Sequence, residues 1–181
     1  YYNLILALLP FEPRVYKYLN GSECRYVGHP AVTNLPNGKH VNEFKNKYNI
    51  TEGEQVLALL PGSRVSEVNR LNAPFLETVN LLEDKKQRLR VFIPAVPHIR
   101  DKIEESLKQK ESTLDGFQIT LIEGEGDKLG LFGCATAALA ASGTVSLELA
   151  LAGVPSVIGY DIDRWMAYFV MRMAKTPSVV M

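Results

Sequence analysis

Two short segments of this chain carry residue types that together could grip a nucleoside diphosphate. Leu-Pro-Gly-Ser-Arg at 60–64 and Ala-Ser-Gly-Thr-Val-Ser-Leu-Glu at 141–148 each follow an apolar, strand-like run and open a helix-like one. A helix start leaves backbone N–H groups without intrahelical partners and carries partial positive charge, so two such starts suit two phosphates. Gly62 supplies permissive backbone, Ser63 a hydroxyl and Arg64 a permanent planar cation matched to phosphate oxygens. In the second segment Ser142, Gly143 and Thr144 form the turn, Gly143 lets phosphates approach the backbone, and Glu148 lies one helical turn past Thr144 on the same face. A carboxylate there could accept hydrogen bonds from both hydroxyls of a ribose. Gly124-Glu125-Gly126 ends another strand-like run, and in an open parallel sheet it would face the same crevice, where the backbone of Gly124 and Glu125 could read a base edge.

Each of these residues also has a plainer reading. Gly62 can be a turn glycine, Ser63 a helix N-cap and Arg64 the ion-pair partner of Glu67 on the first turn. Glu148 can be an acidic residue placed for the helix dipole, and Gly124-Glu125-Gly126 simply a turn. Residues 145–152 are otherwise almost wholly apolar, so a helix there is expected to be buried on most sides, and a buried carboxylate must find partners. The first loop is not a Walker loop, because the GxxxxGK[ST] spacing is missing.

The elements that must position these residues follow from hydrophobic patterning. Short apolar runs at 4–9, 25–27, 56–60, 90–93, 119–122, 137–141 and 156–159 alternate with helix-length segments. That alternation implies parallel βαβ units, whose buried strands need not alternate polar and apolar residues. The expected class is therefore α/β, a Rossmann-like parallel sheet with flanking helices. Val68, Leu71, Phe75, Val79 and Leu82 recur at steps of three and four and make one apolar helix stripe. Gly153-Val154-Pro155 closes the helix begun at Thr144, with glycine at the C-terminal cap and proline barring continuation. A helix starting at Asp127 is expected after the Gly124 turn.

Residues 31–38, Ala-Val-Thr-Asn-Leu-Pro-Asn-Gly, are the best linker candidate, and they divide the chain into a strand-helix-strand piece at 1–30 and a nucleotide-binding domain at 31–181. The first piece is too small to bury both faces of its own sheet, and it reads as the tail of a preceding domain. His29, which ends a strand near that boundary, reads as a structural or hinge residue. The run Glu83-Asp84-Lys85-Lys86 reads as a solvated helix end.

Composition narrows the partners. With 20 Lys+Arg against 20 Asp+Glu the formal net charge is zero, which argues against a polyanion binder such as a nucleic-acid protein. Cys24 and Cys134 have no CxxC spacing and the chain has three histidines, so neither a disulfide framework nor structural zinc is expected. The apolar opening lacks a basic flank and a cleavage pattern, and Pro10 ends it short of a membrane span, so it reads as a buried strand. The aromatic run 165–171, flanked by Arg164, Arg172 and Lys175, is also too short to span a bilayer. It suits a surface that meets lipid or, more commonly, another helix or a second subunit.

Four blocks, in order, resemble the lipid-A-disaccharide synthase family of Gram-negative lipid A biosynthesis: Ala-Leu-Leu-Pro-Phe-Glu-Pro at 7–13, Tyr-Val-Gly-His-Pro at 26–30, Leu-Ala-Leu-Leu-Pro-Gly-Ser-Arg at 57–64 with Glu67-Val68, and Ala-Leu-Ala-Ala-Ser-Gly-Thr-Val-Ser-Leu-Glu at 138–148. The resemblance implies the C-terminal half of a two-domain GT-B glycosyltransferase. Its implied reaction moves 2,3-diacylglucosamine from UDP to 2,3-diacylglucosamine 1-phosphate (lipid X), with inversion, giving a β(1→6) disaccharide and UDP. No cofactor and no metal are expected. Arg64 and the two helix starts would then stabilise the departing diphosphate, Glu148 would hold the ribose, and the general base would belong to the acceptor domain, outside this chain. The implied location is the cytoplasmic face of the inner membrane, peripherally bound. One departure from the family is Asp161, where a basic residue is usual after Gly159-Tyr160. A UDP-N-acetylglucosamine 2-epimerase would share the architecture. So would a nucleotide-binding module inactive by itself.

Overall fold

The structure is a computed structural model that describes residues 2–82, 89–110, 114, 116–161 and 172. The chain divides into two compact units, Tyr1–Leu35 and Pro36–Met181. The expected stretches 83–86 and 165–171, the latter apart from its flanking Arg172, lie outside the described residues.

The first unit holds strand β1 (Leu4–Ala7), helix α1 (Glu12–Tyr18), strand β2 (Glu23–Tyr26) and a 3-10 turn at Pro30–Thr33. β1 and β2 pair in parallel, from Leu4 beside Glu23 to Ala7 beside Tyr26. The opening strand is shorter and less buried than its apolar sequence predicts. Of its residues only Ala7 is buried, while Leu4 and Leu6 are exposed, because two strands and one short helix offer too little surface to cover both faces. His29 caps the 3-10 turn, its Nδ1 accepting from the Ala31 N–H at 3.1 Å, which is a structural role.

The second unit is a five-stranded parallel sheet between helices. Its elements run α2 (Gly38–Tyr48), β3 (Gln55–Leu60), α3 (Val65–Asn80), β4 (Leu89–Pro94), α4 (Pro97–Gln109), β5 (Gln118–Ile122), α5 (Glu125–Cys134), β6 (Ala137–Ala141), α6 (Thr144–Leu151) and β7 (Ser156–Gly159). The strand order is β5-β4-β3-β6-β7. Strand alternation sends side chains to two separate cores. Leu59, Val91, Ile93 and Leu139 pack with Val68, Leu71, Phe75, Leu76 and Val79 of α3 and Ile99 and Ile103 of α4. Val56, Ala58, Leu60, Phe92, Ala138 and Ala140 pack on the other face with Phe44 of α2, Leu131 and Phe132 of α5 and Leu149 of α6. Both faces are thus covered, which is why the strands read as continuous apolar runs.

The helix ends follow local chemistry. The Asn37 side chain caps α2 by accepting from the His40 N–H at 3.0 Å. At the end of α6, Val154 N–H donates to Leu149 and Gly153 N–H to Ala150, at 3.0 and 3.1 Å, the paired bonds of a Schellman motif. Leu149 and Val154 share one core, supplying the apolar contact that accompanies that motif. α6 itself is less enclosed than its composition predicts. Leu149 alone is buried, and Ala150 and Leu151 are exposed, because the helix packs through one side on β6 and β7. α5 begins at Glu125, two residues before the expected start, since Gly124 at φ 88° breaks the strand direction and its carbonyl accepts from Lys128 N–H at 3.1 Å.

α2 and α5 meet at unusually close range. A Cβ built on Gly130 would lie 2.7 Å from the His40 carbonyl oxygen and against Phe44, whose ring stacks in a cluster with Tyr48 and Phe92 at centroid distances of 4.7 to 5.2 Å. Backbone cannot retreat as a flexible side chain can, so Gly130→Ala should cost about 1–3 kcal/mol of stability. Urea unfolding with an unchanged slope and a lowered midpoint checks this; a midpoint equal to the parent's would mean that the helices separate freely.

Candidate functional site

The order of the strands decides where the loops converge. From β3 the chain steps outward to β4 and β5, then crosses back to place β6 on the other side of β3 and β7 beyond it. In open parallel sheets the crevice at the carboxyl ends of the strands, where the order reverses, is the usual place for a ligand. Here the reversal falls between β3 and β6, whose register runs from Leu57 beside Ala137 to Leu60 beside Ala140. The two adjacent strand ends therefore deliver Gly62-Ser63-Arg64 and Ser142-Gly143-Thr144 as neighbouring turns.

The two turns differ in electrostatic state. At the first, Glu67 folds back over the helix start: its Oε2 accepts from the N–H groups of Ser63 and Arg64 at 3.0 and 3.2 Å, and its Oε1 accepts from Arg64 Nη1 at 2.7 Å. The N-cap residue is Arg64, not the expected Ser63; its guanidinium has no acceptor to offer, so Glu67 alone caps the start by accepting from the N-cap N–H, the return half of a capping box. Gly62, at φ 125°, would bring a Cβ within 2.6 Å of Glu67 Oε2, so glycine here makes room for that carboxylate. Arg64 pairs with Glu67 as the plainer reading of the sequence has it, and its side chain is 78% exposed, so the pair contributes little to stability. From the neighbouring strand end, His98 Nε2 lies 3.0 Å from the Ser63 carbonyl oxygen.

The second turn is open. Gly143 has φ 157° and ψ −162°, a combination essentially restricted to glycine, and nothing lies within 4 Å of where its Cβ would stand. Ser146 N–H and Oγ both donate to the Gly143 carbonyl, at 3.0 and 2.6 Å. No internal carboxylate caps this helix start among the described residues. Ser142 N–H donates to Gly159 at 3.2 Å, tying the turn to β7.

Glu148, on the second turn of α6, is 27% exposed and ion-paired to Lys128 of α5. Lys128 Nζ stands 3.3 and 3.2 Å from the two Glu148 oxygens and 3.0 Å from Glu125 Oε1. Burial works against the Lys128 charge, but the hydrogen bond to Glu125 and the field of Glu148 outweigh it and hold the ammonium pKa above the ordinary lysine value. A second cation, Arg100, bridges Glu104 and Glu123 at 2.8 and 2.6 Å beside the end of β5. After β7 the Asp161 carbonyl accepts from Arg70 Nη1 of α3 at 3.4 Å, so a guanidinium reaches the backbone at the position where the sequence has Asp161.

Of the expected site residues, Gly62, Ser63 and Arg64 share one strand end and Ser142, Gly143 and Thr144 the adjacent one. Gly124 and Glu125 lie at the end of β5, two strands from β3, and connect to Glu148 through Lys128. Lys128 and His98 are absent from the sequence reading. The Glu125–Lys128 spacing of three residues was a visible signal for the first; for His98 only its place just after a strand was.

A family model described as lipid-A-disaccharide synthetase matches residues 1–180. A lipid-A-disaccharide synthase of Rhodopseudomonas palustris strain HaA2 is 38% identical over 100% of this chain, which spans 44% of that relative. A lipid-A-disaccharide synthase of Rhodospirillum centenum is 42% identical over 87% of this chain and 38% of its own length. Among solved structures, a Methanocaldococcus jannaschii UDP-GlcNAc 2-epimerase in complex with UDP-GlcNAc and UDP superposes with a TM-score of 0.59 at 19% identity, over 86% of this chain and 45% of that one, a likeness of fold. The architecture is the Rossmann-like half of a GT-B fold.

The capping geometry makes a local expectation. Glu67→Ala should cost about 1 kcal/mol by leaving the Ser63 and Arg64 N–H groups without their acceptor, while Arg64→Ala, which removes only an exposed ion pair, should cost less than about 1 kcal/mol. Urea titrations of both variants test this; equal losses would mean that the ion pair, and not the cap, holds the turn.

Proposed function

The chain belongs to the lipid-A-disaccharide synthetase family, and we propose that it is the donor-nucleotide-binding half of a hexosyltransferase that moves 2,3-diacylglucosamine from UDP to lipid X. The observation that carries this reading is the adjacency of the two helix-opening turns at the strand-order reversal, with Glu148 one turn inside the open one. Uridine's ribose hydroxyls donate to Glu148, and the diphosphate meets the α6 helix start and Arg64. Gly124 and Glu125, at the end of β5, face the base.

In this reading the chemistry of this half is electrostatic. As the glycosidic bond to the donor phosphate breaks, negative charge grows on the diphosphate, and the helix start with the Arg64 cation stabilises it where it develops. No metal ion is needed for that role. The incoming hydroxyl attacks from the opposite face of the sugar, so the anomeric centre inverts, and its proton goes to a base contributed by the acceptor domain. Residues 1–30 are proposed as the end of that domain and 31–181 as the nucleotide domain, with the linker at 31–38 spanning the break between the two compact units at Leu35 and Pro36. The chain spans 44% of the length of a curated relative it matches, so this stretch alone should bind UDP without transferring sugar.

The UDP-N-acetylglucosamine 2-epimerase alternative shares the fold, but the family match over residues 1–180 favours the transferase. Among the described residues no helix is long and apolar enough to cross a membrane. Attachment to the cytoplasmic face of the inner membrane is the proposal, with the 165–171 stretch as lipid-facing or subunit-facing surface.

Calorimetric titration of the chain with UDP tests the assignment. Arg64→Ala should weaken binding and flatten its salt dependence, because an exposed cation acts through a screened field. Glu148→Ala should weaken binding by about tenfold or more while leaving the salt dependence nearly unchanged, as expected for lost hydrogen bonds to a charged group. Equal salt slopes for the parent and Arg64→Ala would remove the phosphate role.

A further inference from the structure

Among the described residues, Glu148 is served from another helix by a single cation. Lys128 is its ion-pair partner among the described residues, reaching both carboxylate oxygens at nearly equal distance, 3.3 and 3.2 Å. Lys128 is itself held in place: Glu125 lies 3.0 Å from Nζ, the Phe132 ring centroid 5.9 Å from it, and the side chain is only 23% exposed. An ionised carboxylate has about four lone-pair sites, two per oxygen. An ammonium equidistant from both oxygens sits between them and takes their convergent lone pairs, leaving one outward-pointing lone pair on each for another donor. These outward lone pairs diverge, so a ribose hydroxyl is accepted by one oxygen held in a fixed direction.

We propose that Lys128 is a positioning residue of the nucleotide site, fixing the Glu148 carboxylate so that the outward lone pair of one oxygen is held toward the ribose and thereby setting the preference for ribonucleotides over 2′-deoxyribonucleotides. This rests on the reading that UDP binds at these strand ends and goes beyond it by assigning a specificity determinant on α5. Without the cation, Glu148 loses its tether and can turn about its side-chain torsions, so the ribose hydroxyl finds no fixed acceptor. A merely structural salt bridge between α5 and α6 would alter stability and leave ribose discrimination untouched.

The experiment compares UDP with 2′-deoxy-UDP by calorimetry on the full chain, in the parent, Lys128→Met, Lys128→Arg, Glu148→Gln and the Lys128→Met/Glu148→Gln double variant. The two ligands carry the same charge, so their affinity ratio is blind to the general loss of a cation. The parent should prefer UDP by about tenfold, the worth of one hydrogen bond to a charged acceptor. Lys128→Met should bring that ratio down severalfold, Lys128→Arg should keep it, and adding Lys128→Met to Glu148→Gln should change it no further. A parent-like ratio in Lys128→Met, or independent effects in the double variant, overturns the proposal. Should Lys128→Met not fold, as judged by its thermal transition, Lys128→Gln takes its place with the same expectation. A parent that fails to bind UDP overturns the nucleotide reading itself, whereas one that binds UDP and 2′-deoxy-UDP equally overturns only the ribose role of this pair.

Discussion

Pairing of β3 with β6 is the constraint on which the carboxyl edge of the sheet depends. These strands lie far apart in sequence, and their backbones are joined near their start by Thr136 N–H donating to the Val56 carbonyl and the Thr136 hydroxyl accepting from the Val56 N–H. Because β4 and β5 are already on one side of β3, β6 must take the other, and that choice makes the cleft. A register slip by one residue would turn Ala138 and Ala140 away from Phe92 and Leu131 and displace the Gly143 turn relative to Gly62. The small side chains of Ala138 and Ala140 pack in one core with Phe92, Leu131 and Leu149, so packing and register reinforce each other.

Charge is distributed across this edge in a consistent way. Three cations near it are bound to carboxylates, Arg64 to Glu67, Lys128 to Glu125 and Glu148, and Arg100 to Glu104 and Glu123, while Arg70 meets the Asp161 carbonyl. Such an edge carries little net field toward solvent, in keeping with the chain's zero formal charge. Recognition of an anion must then come from rearranging pairs and from helix starts, and not from a broad positive patch.

In the five-stranded sheet the strands were legible because coverage on both faces demands apolar runs, and all seven expected runs, the exposed β1–β2 pair included, are strands with ends shifted by a few residues at most. The α3 stripe was equally plain: Val68, Leu71, Phe75 and Val79 are buried as their spacing predicts, and only Leu82, past the helix end, is exposed. What the sequence did not disclose depends on contacts between elements. Lys128 and Glu148 stand on different helices, and no periodicity links them. The Arg64–Glu67 pair was visible from spacing, but the two N–H groups captured by Glu67 follow from the turn at Gly62, which spacing does not encode. Burial of the opening strand was overestimated because composition reports how apolar a segment is, and not how much surface is available to cover it.

The Glu67 cap has a consequence for selectivity among anions. A free phosphate arriving at the α3 start meets a competitor that is part of the chain and always present, so it gains only the difference between itself and a carboxylate. A ligand held elsewhere by other groups meets the same competitor at a far higher local concentration, since its second attachment is intramolecular. In the proposed reading the ribose supplies that first hold and the diphosphate the second. The cap then acts as a filter on valency: monovalent phosphates are turned away without any steric gate, and the cleft stays available to ligands that can engage both strand ends at once.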